Sequence, residues 1–102
     1  MIHAEVSIYP MGTSSTSASF YIAKAIEVIQ NMDEIKYEIT PMGTLLESKS
    51  LSRIFQATQE MSDAVHNLGV GRVEIILKID SRHDKDKTMD EKLESVKKYL
   101  DS

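Results

Sequence analysis

Hydrophobic and polar positions alternate strictly at the start of the chain. Ile2, Ala4, Val6 and Ile8 share one face, and His3, Glu5, Ser7 and Tyr9 share the other. A period of two sends successive side chains to opposite faces, so the stretch predicts a half-buried strand. Pro10-Met11-Gly12 is expected to stop it. A Ser/Thr-rich tract follows from Thr13 to Ser19, broken only by Ala18, and offers N-caps to a helix. Ile22, Ile26 and Ile29 then fall at helical spacing with Ala25 beside them, and Asn31 stands near the helix end. Lys36 to Thr40 predicts a second strand with Tyr37 and Ile39 on one face. Pro41-Met42-Gly43 turns the chain into a third strand over Thr44 to Ser48, which makes a hairpin.

The strongest helical pattern comes next. Ser50 can cap it, Leu51, Ile54, Phe55, Thr58, Met61, Val65 and Leu68 follow its apolar spacing, and Gly69 stands where a C-terminal glycine belongs. Gly71 opens a fourth strand in which Val73, Ile75, Leu77 and Ile79 alternate with Arg72, Glu74, Ile76 and Lys78. A charged break over Asp80 to Lys87 is expected to leave the sheet. Thr88 and Glu91 have capping-box spacing, and Met89, Leu93, Val96 and Leu100 give a third helix its stripe.

The order β-α-β-β-α-β-α begins with the split βαβ arrangement. The expected class is α+β: a ferredoxin-like βαββαβ sandwich with a four-stranded antiparallel sheet and an extra C-terminal helix. Both long helices are expected on one sheet face. The other face carries His3, Glu5, Ser7, Tyr9, Arg72, Glu74, Ile76 and Lys78, of which Tyr9 and Ile76 suit packing against another subunit. The last helix either covers part of that face or grips a neighbour.

Composition narrows the function. With 102 residues the chain is expected to form one ligand-binding domain over residues 1–102, small enough that a site shared between subunits is easier to build than a deep cavity within one. The net charge of -4 argues against a nucleic-acid footprint and against anionic membrane surfaces. No cysteine is present, which removes thiolate metal sites and Cys nucleophiles. No signal peptide or membrane span is legible, and the expected location is cytoplasmic. His3, His66 and His83 lie on different elements without ligand spacing, so no metal site is expected. No nucleophile-elbow or phosphate-loop motif occurs, and the loop after the first strand lacks the arginine an acylphosphatase needs; no catalytic residue is assigned. Asp80 and Arg82 read as a pair at the end of the last strand.

Pro10-Met11-Gly12-Thr13 recurs as Pro41-Met42-Gly43-Thr44. Either both copies are ordinary strand-ending turns, or both loops line one site. The loop Tyr9-Pro-Met-Gly-Thr-Ser-Ser-Thr-Ser, the hairpin Tyr37-Glu-Ile-Thr-Pro-Met-Gly-Thr-Leu-Leu-Glu and the segment Gly71-Arg-Val-Glu-Ile-Ile-Leu-Lys-Ile-Asp-Ser-Arg together resemble the YkoF-like thiamine-binding family. The resemblance covers nearly the whole chain. It implies a subunit assembled into dimers or tetramers that binds thiamine, or its hydroxymethylpyrimidine half, without catalysis and without a further cofactor. The residues that would serve such a ligand are Thr13, Ser14, Ser15 and Ser17 as hydroxyl and helix-start donors, with Met42 as a soft apolar contact. Gly43 would allow close backbone approach, Thr44 stands beside it, and Glu47 would accept from the ligand's amino group. A structural or regulatory homo-oligomer without thiamine binding is the alternative.

Overall fold

A computed structural model describes residues 1–100. Its elements are β1 (Ile2–Met11), α1 (Ser19–Glu27), β2 (Lys36–Thr40), β3 (Gly43–Ser48), α2 (Leu51–His66), β4 (Arg72–Ser81) and α3 (Met89–Leu100). The strands form one antiparallel sheet in the order β2-β3-β1-β4, the ferredoxin-like α+β arrangement.

Register fixes which side chains share a face. Val6 lies opposite Thr44 on β3 and Leu77 on β4, and Ala4 lies opposite Leu46 and Ile79. These residues, with Ile2 and Ile8, face α1 and α2. The resulting core adds Ala25, Ile26 and Ile29 from the α1 region and Ile54, Ala57, Met61 and Val65 from α2. Within α2, Ser50 caps as expected: its hydroxyl accepts from the Arg53 amide at 3.3 Å. The buried stripe is narrower than the spacing predicts, and Leu51, Phe55 and Leu68 stand at its exposed margin. Gly69 adopts φ +93, the left-handed geometry that ends a helix at little steric cost.

Several boundaries differ from expectation for identifiable reasons. β1 does not stop at Pro10 but continues through Met11, pairing Pro10 with Val73 and Met11 with Arg72. Its ladder with β3 ends at Val6, so Pro10 sits on a stretch with β4 as its sole strand neighbour, where a missing N–H is tolerated. β4 likewise absorbs Asp80 and Ser81 rather than breaking there, because His3 and Ile2 still pair with them. The N-cap of α1 is Ala18, which has no side-chain cap bond, and the Ser/Thr tract contributes only Ser17 Oγ, which accepts from the Ser19 amide at 3.4 Å. Ile29 lies past the end of α1 yet is fully buried.

The opposite sheet face is only partly open. α3 begins over its His3 end, where Met89 is buried, while Leu93, Val96 and Leu100 remain exposed. The helix start is a reciprocal capping box: the Glu91 amide donates to Thr88 Oγ1 at 3.1 Å, and the Thr88 amide to Glu91 Oε1 at 3.3 Å. Among the described residues no helix is long and apolar enough to cross a membrane.

Candidate functional site

β3 carries the candidate residues on two faces. Alternation sends Thr44, Leu46 and Ser48 toward the helices and Gly43, Leu45 and Glu47 to the other side. Thr44 and Glu47, expected to serve one ligand together, therefore stand on opposite faces of the sheet.

On the helix side, a cavity of about 240 Å³ opens between α1, the end of β1 and the β2–β3 hairpin. Val6, Ile8, Ile22, Ala25, Ile39 and Met61 give it apolar walls, and Met42, Gly43 and Thr44 close the hairpin side. Thr44 is buried, and its hydroxyl has no hydrogen-bond partner among the described residues. The turn beside it is rigidly built. Thr40 Oγ1 donates to the Gly43 carbonyl at 2.7 Å and accepts from the Met42 and Gly43 amides. Ser7 Oγ donates to the Met42 carbonyl at 3.1 Å and ties the turn to β1. Ser7 and Thr40 were not singled out by sequence; their places beside the repeated Pro-Met-Gly-Thr are the signal that could have found them.

The other bend contributes less. Tyr9 and Ala18 line the cavity, but Thr13, Ser14, Ser15 and Ser17 do not. Thr13 Oγ1 donates to the Ser15 carbonyl, and Ser15 Oγ accepts from the Ser17 amide, so these hydroxyls brace their own loop. Gly12 adopts φ +74 within it. The missing side chain of Gly43 admits β1: an added Cβ would lie 2.9 Å from Ser7 Oγ and 3.2 Å from the Val6 carbonyl. Met42 is mostly exposed at the cavity mouth.

Glu47 is buried under α3. Its Oε1 accepts from His3 Nε2 at 3.0 Å and from the Met89 amide at 2.9 Å, and Lys36 Nζ stands 4.0 Å from Oε2. The carboxylate thus meets the positive end of α3 and fills a role that sequence alone did not assign. It also fixes Nε2 as the protonated nitrogen of His3, whose buried Nδ1 lacks a partner. Next to this cluster a second cavity, of about 280 Å³, lies between α3 and the sheet. Its walls mix Glu5, Glu38 and Asp80 with Lys78 and Lys92 around Leu45 and Leu93.

The segment expected to hold an Asp80–Arg82 pair is wired differently. Asp80 accepts from Lys92 of α3 at 2.6 Å, Arg82 pairs with Asp84 at 2.6 Å, and Asp86 meets the N-terminal ammonium at 3.0 Å. Arg82 holds the Asp84 carboxyl down at about 2. The Lys92 ammonium, by hydrogen bond and charge, keeps Asp80 below the ordinary 3.8, and the N-terminal ammonium does the same for Asp86. A carboxyl whose pKa is lower in the folded chain stabilises it fully above the unfolded value and less as pH falls through the folded one. Acid is therefore expected to loosen α3 first, below about pH 4. Amide exchange measured residue by residue should show α3 protection falling there while α2 stays protected. Equal protection of both helices down to about pH 2 would contradict this.

The whole chain also has relatives. Residues 4–97 match the profile of a family described as thiamine-binding protein. A UPF0045 protein from Methanothermobacter thermautotrophicus is 44% identical over 100 residues, covering 98% of this chain and 100% of that one. The Bacillus subtilis UPF0045 protein YqgV is 42% identical over 98% of both. The crystal structure of a Methanocaldococcus jannaschii protein superposes with a TM-score of 0.85 at 44% identity, covering 94% of this chain and 95% of that one. A Thermotoga maritima protein, whose name assigns it provisionally to thiamine biosynthesis or salvage, has the same fold at a TM-score of 0.75 and 21% identity, covering 93% and 97%.

Proposed function

The chain belongs to the thiamine-binding protein family, and from that premise we propose that it binds thiamine, through the hydroxymethylpyrimidine half, in the cavity between α1 and the β2–β3 hairpin. The observation that carries this reading is Thr44, a buried residue that lines an apolar cavity and whose hydroxyl has no hydrogen-bond partner among the described residues. A ligand that fills the cavity takes that hydroxyl out of water, which is costly unless the ligand supplies a hydrogen bond in return. At about 240 Å³ the cavity lies below the usual range for drug-sized ligands, which favours one ring inside and the rest of thiamine at the mouth beside Tyr9 and Met42.

The function is binding rather than catalysis: sequestration or presentation of the ligand by a cytoplasmic homo-oligomer, dimer or tetramer, with the cavity mouth near a subunit contact. Glu47 is committed to His3 and α3, so the ligand's amino group would meet a backbone carbonyl of the hairpin instead.

Thermal melts with thiamine and with hydroxymethylpyrimidine test this. A ligand at roughly 100 times its Kd adds about 2.7 kcal/mol to the folded state and raises the midpoint. Thr44→Val keeps the shape and removes the hydroxyl. It is expected to weaken binding by roughly threefold to tenfold, the worth of one hydrogen bond, while leaving the ligand-free melt unchanged or slightly higher. Glu38→Gln, in the second cavity, is the control. If it abolishes the shift and Thr44→Val does not, the ligand sits under α3. No shift with either compound at millimolar concentration would leave the structural oligomer as the better account.

A further inference from the structure

One row of side chains crosses the whole sheet under α3. The register sets Glu38 of β2 beside Leu45 of β3, Leu45 beside Glu5 of β1, and Glu5 beside Lys78 of β4. Residues directly opposite on neighbouring strands project to the same face, and all four line the cavity of about 280 Å³ there. Leu93 of α3 stands over them.

The three charges of the row are unused. Glu38, Glu5 and Lys78 have no hydrogen-bond or ion-pair partner among the described residues. Glu5 and Lys78 face each other across the ladder, where opposite charges ordinarily pair, yet they do not. The neighbouring charges are taken: Asp80 and Lys92 hold each other at 2.6 Å. Two residues from Glu5 on the same face, His3 also lines the cavity. Only 10% of its side chain is exposed, Nε2 is given to Glu47, and Nδ1 has no partner. Few buried polar atoms in a folded protein stay unbonded, so one that does calls for an account beyond packing. With Nε2 protonated, Nδ1 is an acceptor, and the wall beside Glu5 lacks a donor.

The order of these groups describes a ligand. A cation answers Glu5 and an anion answers Lys78. Those two residues stand on adjacent strands, so the two ligand charges must be close together, as they are in a zwitterionic α-amino acid. Next along the row comes an apolar stretch, with Leu45 below and Leu93 above. Then comes Glu38, whose Cα lies two strand spacings, roughly 10 Å, from that of Glu5. A straight alkyl chain that ends in a second cation matches this sequence of surfaces. A chain ending in a methyl group would leave Glu38 unpaired, and one ending in a carboxylate would be repelled by it.

We propose that the cavity under α3 binds a free basic α-amino acid of the lysine type, with its α-ammonium at Glu5, its α-carboxylate at Lys78, its methylenes between Leu45 and Leu93, and its terminal ammonium at Glu38. The site is separate from the cavity between α1 and the β2–β3 hairpin and does not depend on what binds there. Leu93 is 54% exposed in the ligand-free chain, so the methylenes cover apolar surface that α3 leaves open.

Calorimetric titration at low salt tests this with three probes: L-lysine, norleucine, which lacks the terminal ammonium, and cadaverine, which lacks the carboxylate. Lysine is expected to bind, and each of the others to bind about threefold to tenfold more weakly, the worth of one partly exposed charge-assisted bond. Glu38→Gln should remove the preference for lysine over norleucine and leave norleucine unaffected. Lys78→Met should remove the preference for lysine over cadaverine. Both side chains are exposed and unpartnered, so neither variant should shift the ligand-free melt. Thr44→Val, in the other cavity, should leave lysine binding unchanged. Four results would each overturn the proposal: no binding of lysine at millimolar concentration, cadaverine binding as tightly as lysine, Glu38→Gln weakening lysine and norleucine alike, or lysine affinity that falls with Thr44→Val and not with Glu38→Gln.

Discussion

Glu47→Ala is expected to cost about 3 kcal/mol or more and to lower Tm by more than about 10 °C. The side chain is buried and holds two donors, His3 Nε2 and the Met89 amide, on one oxygen. Removing it strands both. It also leaves the His3 ring with neither nitrogen paired, since Nδ1 already lacks a partner. Breaking a buried polar pair from one side is more costly than the pair itself is worth, because the remaining group stays desolvated. The loss should be local first. α3 has lost the acceptor at its N-terminus, leaving Lys92–Asp80 as its remaining ion pair to β4. Glu47→Gln retains an acceptor oxygen of similar shape and should cost less. The decisive measurement is the ligand-free melt. If Glu47→Ala melts within about 2 °C of the parent while thiamine binding disappears, the carboxylate is a ligand group and the tie to α3 is incidental.

Gly43→Val is expected to be nearly as damaging, by a different route. The space beside Gly43 is occupied by β1, with Ser7 Oγ at 2.9 Å, Glu5 Cγ at 3.2 Å and the Val6 carbonyl at 3.2 Å from where a Cβ would stand. Two of those atoms belong to side chains and can swing away. The carbonyl belongs to the β1 backbone and cannot move without the ladder. Overpacking of this kind typically costs about 1–3 kcal/mol, and the branched valine belongs at the upper end. The hairpin must also tilt away from β1, breaking the Ser7 bond to the Met42 carbonyl and moving Thr44. Stability and ligand binding should therefore fall together. Gly43→Ala with Ser7→Gly removes the closest contact and should recover part of both. If Gly43→Val left the melt unchanged, the close approach of β3 to β1 would be wrong.

Much of this was legible in the residues, and what was not has a physical cause. Local patterns carried the elements. Strict alternation marked β1, apolar spacing with Ser50 and Gly69 marked α2, and Thr88 with Glu91 marked the start of α3. Boundaries failed where a distant strand decided them. Pro10 looks like a stop until β4 is seen to hold it, and Asp80 looks like a loop until His3 pairs with it. The candidate site residues divide in a more instructive way. The family resemblance puts Thr44 and Glu47 on one ligand, yet three residues along a strand is an odd step and an odd step changes face. That alternation was visible in the sequence. What was not visible is that a helix more than forty residues away closes over one of those faces and takes Glu47 for itself.

β1 and β4 run on past the point where the β2–β3 hairpin turns back, so the sheet has a cut corner, and the first cavity occupies the missing piece. A ring bound there, as proposed, would stand where the next residues of a longer hairpin would lie. Hairpin length then acts as the volume control. A relative whose turn is extended by a residue pair would zip further along β1 and fill its own pocket. One with a shorter turn would hold a larger guest, without any change to the core beneath.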